Sequence, residues 1–255
     1  MIPHTKAFKR LKDEAQAVFD FAIVVCYAVP NLKATLKSLP QGAQLPFSPD
    51  HFNSRPIPTE KVRHHAKEYK AVLSRYIFLS SFSYFEAYFL DLLKEIIEFH
   101  GRGELLRKHD LSRNIALSSP DLAKSKKKLR EYRVRGKVGA YASYGKRLAA
   151  EGFVFPSSVL ARRGLQQLID LTDADYIKAA EIPELVESIL QLPLDPNSEK
   201  AKFHGYRDMR NKIAHGRPDS TSLHLAKAIE ANDFLRNLAL KIDRHVLEHL
   251  LLVEL

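Results

Sequence analysis

The sequence predicts an all-α protein, and three observations carry that prediction. Glycine is sparse, at 10 of 255 residues. Alternation of apolar and polar positions is rare. Apolar residues instead recur at intervals of three and four through most of the chain, the period of a helix that packs one face. Hydrophobic residues make up 45% of the chain, enough for one large core or one core with an appendage, so disorder is not expected.

The first helix is expected from about Thr5 to Val29, with Phe8, Leu11, Ala15, Val18 and Ala22 on its inner stripe and Pro30 as its stop. Between Pro40 and Pro58 the chain reads PQGAQLPFSPDHFNSRPIP, too rich in proline for a helix or a central strand. This connector divides the chain into residues 1–58, an N-terminal helix with a Pro-rich link, and residues 59–255, the main helical domain. Thr59 is the expected cap of a long helix that Gly101 and Gly103 end. Its second half, SSFSYFEAYFLDLL, is apolar nearly all round, as the central helix of a bundle should be. Glu86 lies inside that stretch, where a carboxylate needs a partner or a role. Further helices are expected at Ser157 to Leu171, Asp173 to Leu192 with an interruption at Pro183, Asn197 to His215 capped by Asn197 or Ser198, and Ser220 to the C-terminus.

Lysine and arginine total 40 against 30 acids, a formal net charge of +10, which favours a polyanionic partner. Cys26, the one cysteine, is expected to be a small buried hydrophobe in a reducing cytoplasm. No uncharged apolar run approaches the ~18 residues of a membrane span, so no membrane partner is expected. The densest basic run, KSKKKLREYRVRGKVGAYASYGKR from Lys124 to Arg147, holds Lys126, Lys127, Lys128, Arg130, Arg133 and Arg135, with Tyr132, Tyr141 and Tyr144 interleaved. Cations that neutralise phosphates and tyrosines that stack on bases make it a candidate RNA-binding surface; a solvated helix face is the alternative.

The stretch YRDMRNKIAHGRPD, from Tyr206 to Asp219, is the richest in chemistry. Gly216 and Pro218 stop the helix, so His215 sits at its end. At 100° per residue, Arg207, Arg210, Asn211 and His215 share one sector, while Met209 and Ile213 point elsewhere. Arginine offers a fork of donors to a phosphate, histidine moves protons near neutrality, and asparagine can orient an imidazole or a ribose hydroxyl. RNA brings its own nucleophile, the 2′-hydroxyl, so these groups suffice for transesterification without a metal or cofactor. A basic helix end that only complements the helix dipole is the plain alternative.

RNKIAH, with arginine, asparagine and a histidine that follows Asn211 by four residues, closely resembles the signature of the HEPN superfamily, in its stand-alone, RiboL-PSP-HEPN or toxin-like branch. Arg210, Asn211 and His215 match the motif's arginine, polar follower and histidine. Glu86 looks like an acidic residue that some RNase branches carry on an early helix. The resemblance implies a HEPN-type helical bundle acting as an endoribonuclease, catalytic through Arg210, Asn211 and His215, with Glu86 and Arg207 as supporting candidates. It also implies a toxin or antiphage-defence role, a homodimer and an antitoxin or regulatory partner. A non-catalytic HEPN-like module that binds RNA, a nucleotide or a protein is the alternative function, and a basic helical scaffold the third. Apolar surface for the dimer is expected from the long helix around Phe78 to Phe89 or from the C-terminal helix. His245 to His249, HVLEH, matches an inverted zinc-peptidase pattern, but helix-face histidines are the preferred reading and no metal is expected. Phosphate-cradling loops, nucleophile elbows and paired-cysteine sites do not occur in the sequence.

Overall fold

The structure is a computed structural model that describes residues 4–40, 42–45, 58–100, 127–129, 131–132, 135–150, 165–216 and 223–251. Among the described residues all regular structure is helical. The helices are α1 (Lys6–Ser38), α2 (Thr59–His100), α3 (Val138–Ala150), α4 (Leu165–Ala174), α5 (Ile182–Ser188), α6 (Ala201–Ala214) and α7 (Leu225–Val246). A 3₁₀ turn at Ala179–Glu181 leads into α5, and π-helical turns precede α6 at Pro196–Lys200 and follow α7 at Leu247–Leu251. The all-α prediction holds. Most of the Pro-rich connector, together with Gly101, Gly103, Lys126, Arg130 and Arg133, lies outside the described residues.

Contacts group the chain into two compact units. One holds Met1–Leu11, Phe85–Gly205 and Asn237–Leu255; the other holds Lys12–Tyr84 and Tyr206–Arg236.

In the first unit, α1 starts without an acid in its first turn, so its orphan N–H groups need acceptors from elsewhere. Thr5 caps it, its Oγ1 accepting from Phe8 N at 3.0 Å. Glu95 of α2 accepts from Lys6 N and Ala7 N at 3.2 and 3.1 Å. Asp243 of α7, wholly buried, accepts from Thr5 N at 3.1 Å and Thr5 Oγ1 at 2.6 Å, with His4 Nδ1 at 2.7 Å. Phe85, Phe89, Leu92, Leu93 and Ile96 of α2 fill the core at 0% exposure. Each such side chain contributes about 1.5–3 kcal/mol by leaving water. Tyr88 donates to the Ala239 carbonyl at 3.0 Å, and burial pushes its phenol well above the ordinary range.

In the second unit α1 and α2 run antiparallel: Phe21 meets Tyr76 edge-on at 5.7 Å, Lys33 lies over Tyr69 at 4.9 Å, and Arg63 Nη2 donates to the Leu39 carbonyl at 3.4 Å. Ile77, Phe78 and Phe82 are buried here, and Ser81 Oγ lies 3.0 Å from the Asn232 side-chain amide.

Several boundaries differ from the sequence reading. α1 does not stop at Pro30 but carries it inside. A helical proline costs about 3 kcal/mol; burial of Leu36 and the Lys33 and Leu39 contacts with α2 hold the continuation. The longer helix passes, by length and composition alone, as apolar enough to cross a membrane, with mean hydropathy 1.5 over 18 residues, contrary to the expectation that no run qualifies. Thr59 is not the cap of α2: Pro58 O receives Lys61 N and Val62 N, while Thr59 Oγ1 donates to Ala43 O. Pro183 does not interrupt a helix; it opens α5, where its missing N–H is no loss. Asp195, not Asn197 or Ser198, caps the entry to α6, accepting from both of their N–H groups at 2.8 and 2.9 Å. Those bonds, Ser198's first, hold its carboxyl below the usual carboxylate range. Cys26 is half-buried rather than buried. Phe78, Phe82, Phe85 and Phe89 are at most 1% exposed, so they are core and cannot be the apolar surface of a dimer.

Removing the buried acceptor at the start of α1 leaves the Thr5 N–H and O–H without a partner. Asp243→Ala is expected to cost about 3 kcal/mol in urea unfolding and to raise amide exchange at Lys6, Ala7 and Phe8 first. Unchanged exchange at those amides would mean that the carboxylate does not hold the helix start.

Candidate active site

α6 ends where the sequence places its stop. His215 N donates to Asn211 O at 3.0 Å and Gly216 N to Ile213 O at 3.1 Å. Gly216 then takes φ +68°, the left-handed conformation that closes a helix without a Cβ penalty. His215 is exposed in this turn.

Arg210 is half-buried one turn earlier. Its guanidinium carbon lies 5.9 Å from the centroid of the Phe82 ring, and its Nη1 donates to Asn211 Oδ1 at 3.0 Å. The aromatic face and the neighbouring amide restrict the fork to one plane. Asn211 thus touches both partners of the predicted set, Arg210 through its side chain and His215 through its backbone carbonyl. Asn211 Oδ1 takes one of the five guanidinium donors.

Below the motif, Tyr206 is buried at 5% exposure. It packs edge-on against Phe78 at 6.1 Å and tilted against Phe234 at 5.6 Å. Burial first, and then its hydrogen bond with Glu230, pushes its phenol up to about 12, so Tyr206 stays protonated and is no base near neutrality. Sequence reasoning missed this anchor. Its signal was available: Tyr206, Met209 and Ile213 fall on the inward stripe of α6.

Arg207, on the same helix, is half-buried. Its Nε and Nη2 donate to Asp208 Oδ1 at 3.0 and 2.7 Å, so its guanidinium is turned toward the adjoining side chain. Glu86 is half-buried on α2 and belongs to the first unit.

In the basic run, Lys127, Lys128 and Arg135 are exposed, and Arg135 pairs with Glu131 at 2.7 Å. Lys128 and Arg147 lie over the Tyr144 ring at 5.2 and 4.7 Å, and Tyr132 meets it edge-on at 6.0 Å. Tyr141 is buried with Leu129 and Leu148, so it packs a small core and offers no stacking face, contrary to its expected role. In HVLEH, His245 Nε2 lies 2.7 Å from the Leu190 carbonyl, and burial lowers its pKa. That nitrogen serves a backbone contact, which fits the helix-face reading. Among the described residues no group of three metal-ligating side chains forms.

The sequence model of the family described as RiboL-PSP-HEPN matches residues 57–248. That range runs from the start of α2 to the C-terminal end of α7 and contains the whole Arg210, Asn211 and His215 set. No curated protein and no solved structure matches the chain.

The positive φ at Gly216 sets a test of the turn that presents His215. A Cβ there meets nothing within 4 Å, so only backbone strain is at issue. Gly216→Ala should cost about 1 kcal/mol in thermal unfolding, and Gly216→Asn clearly less, because asparagine tolerates the left-handed region. Equal losses for both variants would show that the strain argument is wrong.

Proposed function

This chain belongs to the RiboL-PSP-HEPN family, a HEPN-type module, and from that premise we propose that it is an endoribonuclease that cleaves RNA by attack of a ribose 2′-hydroxyl on the adjoining phosphodiester. The observation that carries the reading is the end of α6, where Asn211 holds the Arg210 fork through its side chain and His215 through its carbonyl. In the reaction the 2′-oxygen bonds to phosphorus as the bond to the 5′-oxygen breaks. His215 takes or gives the proton, Arg210 meets the charge that gathers on the non-bridging oxygens, and Asn211 positions both. The products are a 2′,3′-cyclic phosphate and a 5′-hydroxyl.

One imidazole cannot be base to the 2′-hydroxyl and acid to the leaving oxygen at the same instant. A two-fold homodimer that shares one cleft supplies the second copy. A toxin or defence role, restrained by an antitoxin or regulatory protein, fits an RNase of this family. Exposed Lys127, Lys128 and Arg135 give RNA a basic approach.

His215→Ala and Arg210→Ala should each abolish detectable cleavage of labelled RNA in EDTA at wild-type helicity. Losing one charge-stabilising donor typically costs about 100-fold to 1,000-fold in rate, and Asn211→Ala should be milder. A 2′-O-methyl at the scissile nucleotide should block the reaction. Wild-type rates from both variants, or cleavage of the methylated substrate, would refute the assignment.

Neutralising Lys127, Lys128 and Arg135 together should weaken RNA binding while the product ends stay the same. Each lost phosphate contact should flatten the slope of log K against log salt by about 0.7 for single strands. An unchanged slope returns this run to a solvated face.

A further inference from the structure

The part of the first unit around α3 concentrates positive charge. From Lys124 to Arg147 the sequence has ten cations and one acid, Glu131, and Glu131 is paired with Arg135 at 2.7 Å. Lys127, Lys128, Arg135, Lys137, Lys146 and Arg147 are all exposed. In the same segment Leu129, Tyr141 and Leu148 form a small core, against which Tyr132 and Tyr144 pack half-buried. Two of the cations are held in place. Lys128 Nζ lies over the Tyr144 ring, 5.2 Å from its centroid, and the Arg147 guanidinium carbon 4.7 Å from it, while Tyr132 stands edge-on to the same ring at 6.0 Å.

We propose that this face grips the phosphate backbone of RNA without reading its bases, with Lys128 and Arg147 as the binding cations and Tyr144 as the ring that positions them. The choice of RNA as the polyanion rests on the activity proposed above. The tyrosines of the run are engaged within the fold: Tyr141 is buried, Tyr132 packs on the core, and Tyr144 turns its face to cations. A base that stacked on Tyr144 would have to displace a cation that can itself meet a phosphate.

The arrangement favours phosphate on physical grounds. A lysine or arginine free in water gives up rotamer freedom when it meets an anion, and one already held over a ring has less to give up. A guanidinium over an aromatic face keeps its in-plane donors directed outward. Two cations that share one ring also repel each other, and an anion shared by both offsets that repulsion. No large apolar side chain among the described residues of this segment is exposed, so it lacks the apolar anchor that stable attachment to a bilayer adds to charge.

The test measures binding of the full chain, by fluorescence anisotropy over a range of salt, to three strands of equal length: 2′-O-methyl oligo(A), 2′-O-methyl oligo(U) and an abasic deoxyribose phosphodiester. Arg147 is exposed, so Arg147→Gln leaves the small core intact; it should weaken all three by the same factor and flatten the slope of log K against log salt by about 0.7. Tyr144→Ala should also weaken all three alike, and Tyr144→Phe, which keeps the ring, should restore wild-type affinity. Comparison of each variant with wild type on each strand separates this face from any base preference at the end of α6. An unchanged slope for Arg147→Gln, a Tyr144→Ala loss confined to the strands that carry bases, or equal losses from Tyr144→Ala and Tyr144→Phe would overturn the proposal. So would an Arg147→Gln chain that loses affinity for phosphatidylcholine–phosphatidylserine vesicles but not for RNA. Strands without a free 2′-hydroxyl cannot be cut by the proposed chemistry, so binding is read apart from cleavage and either reading can fail alone.

Discussion

A single buried carboxylate decides where the N-terminal helix begins. Asp243 has no access to water, and an unpaired charge in that position would be costly. It is instead surrounded by donors, two from Thr5 and one from His4. Thr5 can then cap α1, and Glu95 takes up the next two N–H groups. Acceptors from α2 and α7 therefore complete a helix that lacks acids of its own at that end. α1 is thus part of the folded unit and not a tail, although it lies before the residues that match the family.

The motif is held by a comparable division of labour. Tyr206 and Phe78 are buried beneath it, and Phe82 supplies the ring on which Arg210 lies. A guanidinium on an aromatic face keeps its in-plane donors directed outward. Asn211 fixes the fork from the side, and the left-handed turn at Gly216 ends the helix just beyond His215. Under the proposed function these groups would need little reorganisation to meet a phosphate, the condition under which electrostatic stabilisation is most effective. Glu230 hydrogen-bonds with the Tyr206 phenol.

What the sequence revealed and what it hid separate along physical lines. Features set by neighbouring residues were legible: the period of the helices, the stop at Gly216, the place of His215, and the aromatic run from Phe78 to Phe89. Features set by tertiary packing were not. Pro30 is a strong local stop, but burial of Leu36 and the contacts of α1 with α2 outweigh it. The aromatic run was read partly as outer surface because sequence gives hydrophobicity but not the side from which it is covered. Tyr141 was read as a stacking face for the same reason. The cap at Asp195 is a different case: an aspartate followed by proline is a local signal of a helix start, and preference for the residues after it obscured it. The bond from Arg207 to the adjacent Asp208 is likewise a side-chain choice that a helical wheel does not show.

The acids and bases of this chain have different duties, and this gives the net charge its meaning. Asp243, Glu95 and Asp195 accept backbone N–H groups at helix starts. Glu199 takes Lys241, Glu187 takes Lys200, and Asp91 takes Arg10. Each of these ion pairs cancels one acid and one base, so it leaves the formal excess of +10 unchanged. Part of that excess stands at Lys127 and Lys128, exposed cations with only Glu131 as a described acid in their short segment, itself paired with Arg135. Such a field draws in a polyanion regardless of its sequence. Under the proposed function, selection of a scissile bond would then come from the geometry at the end of α6, where the donors are few and fixed, and not from the charge that draws in a polyanion.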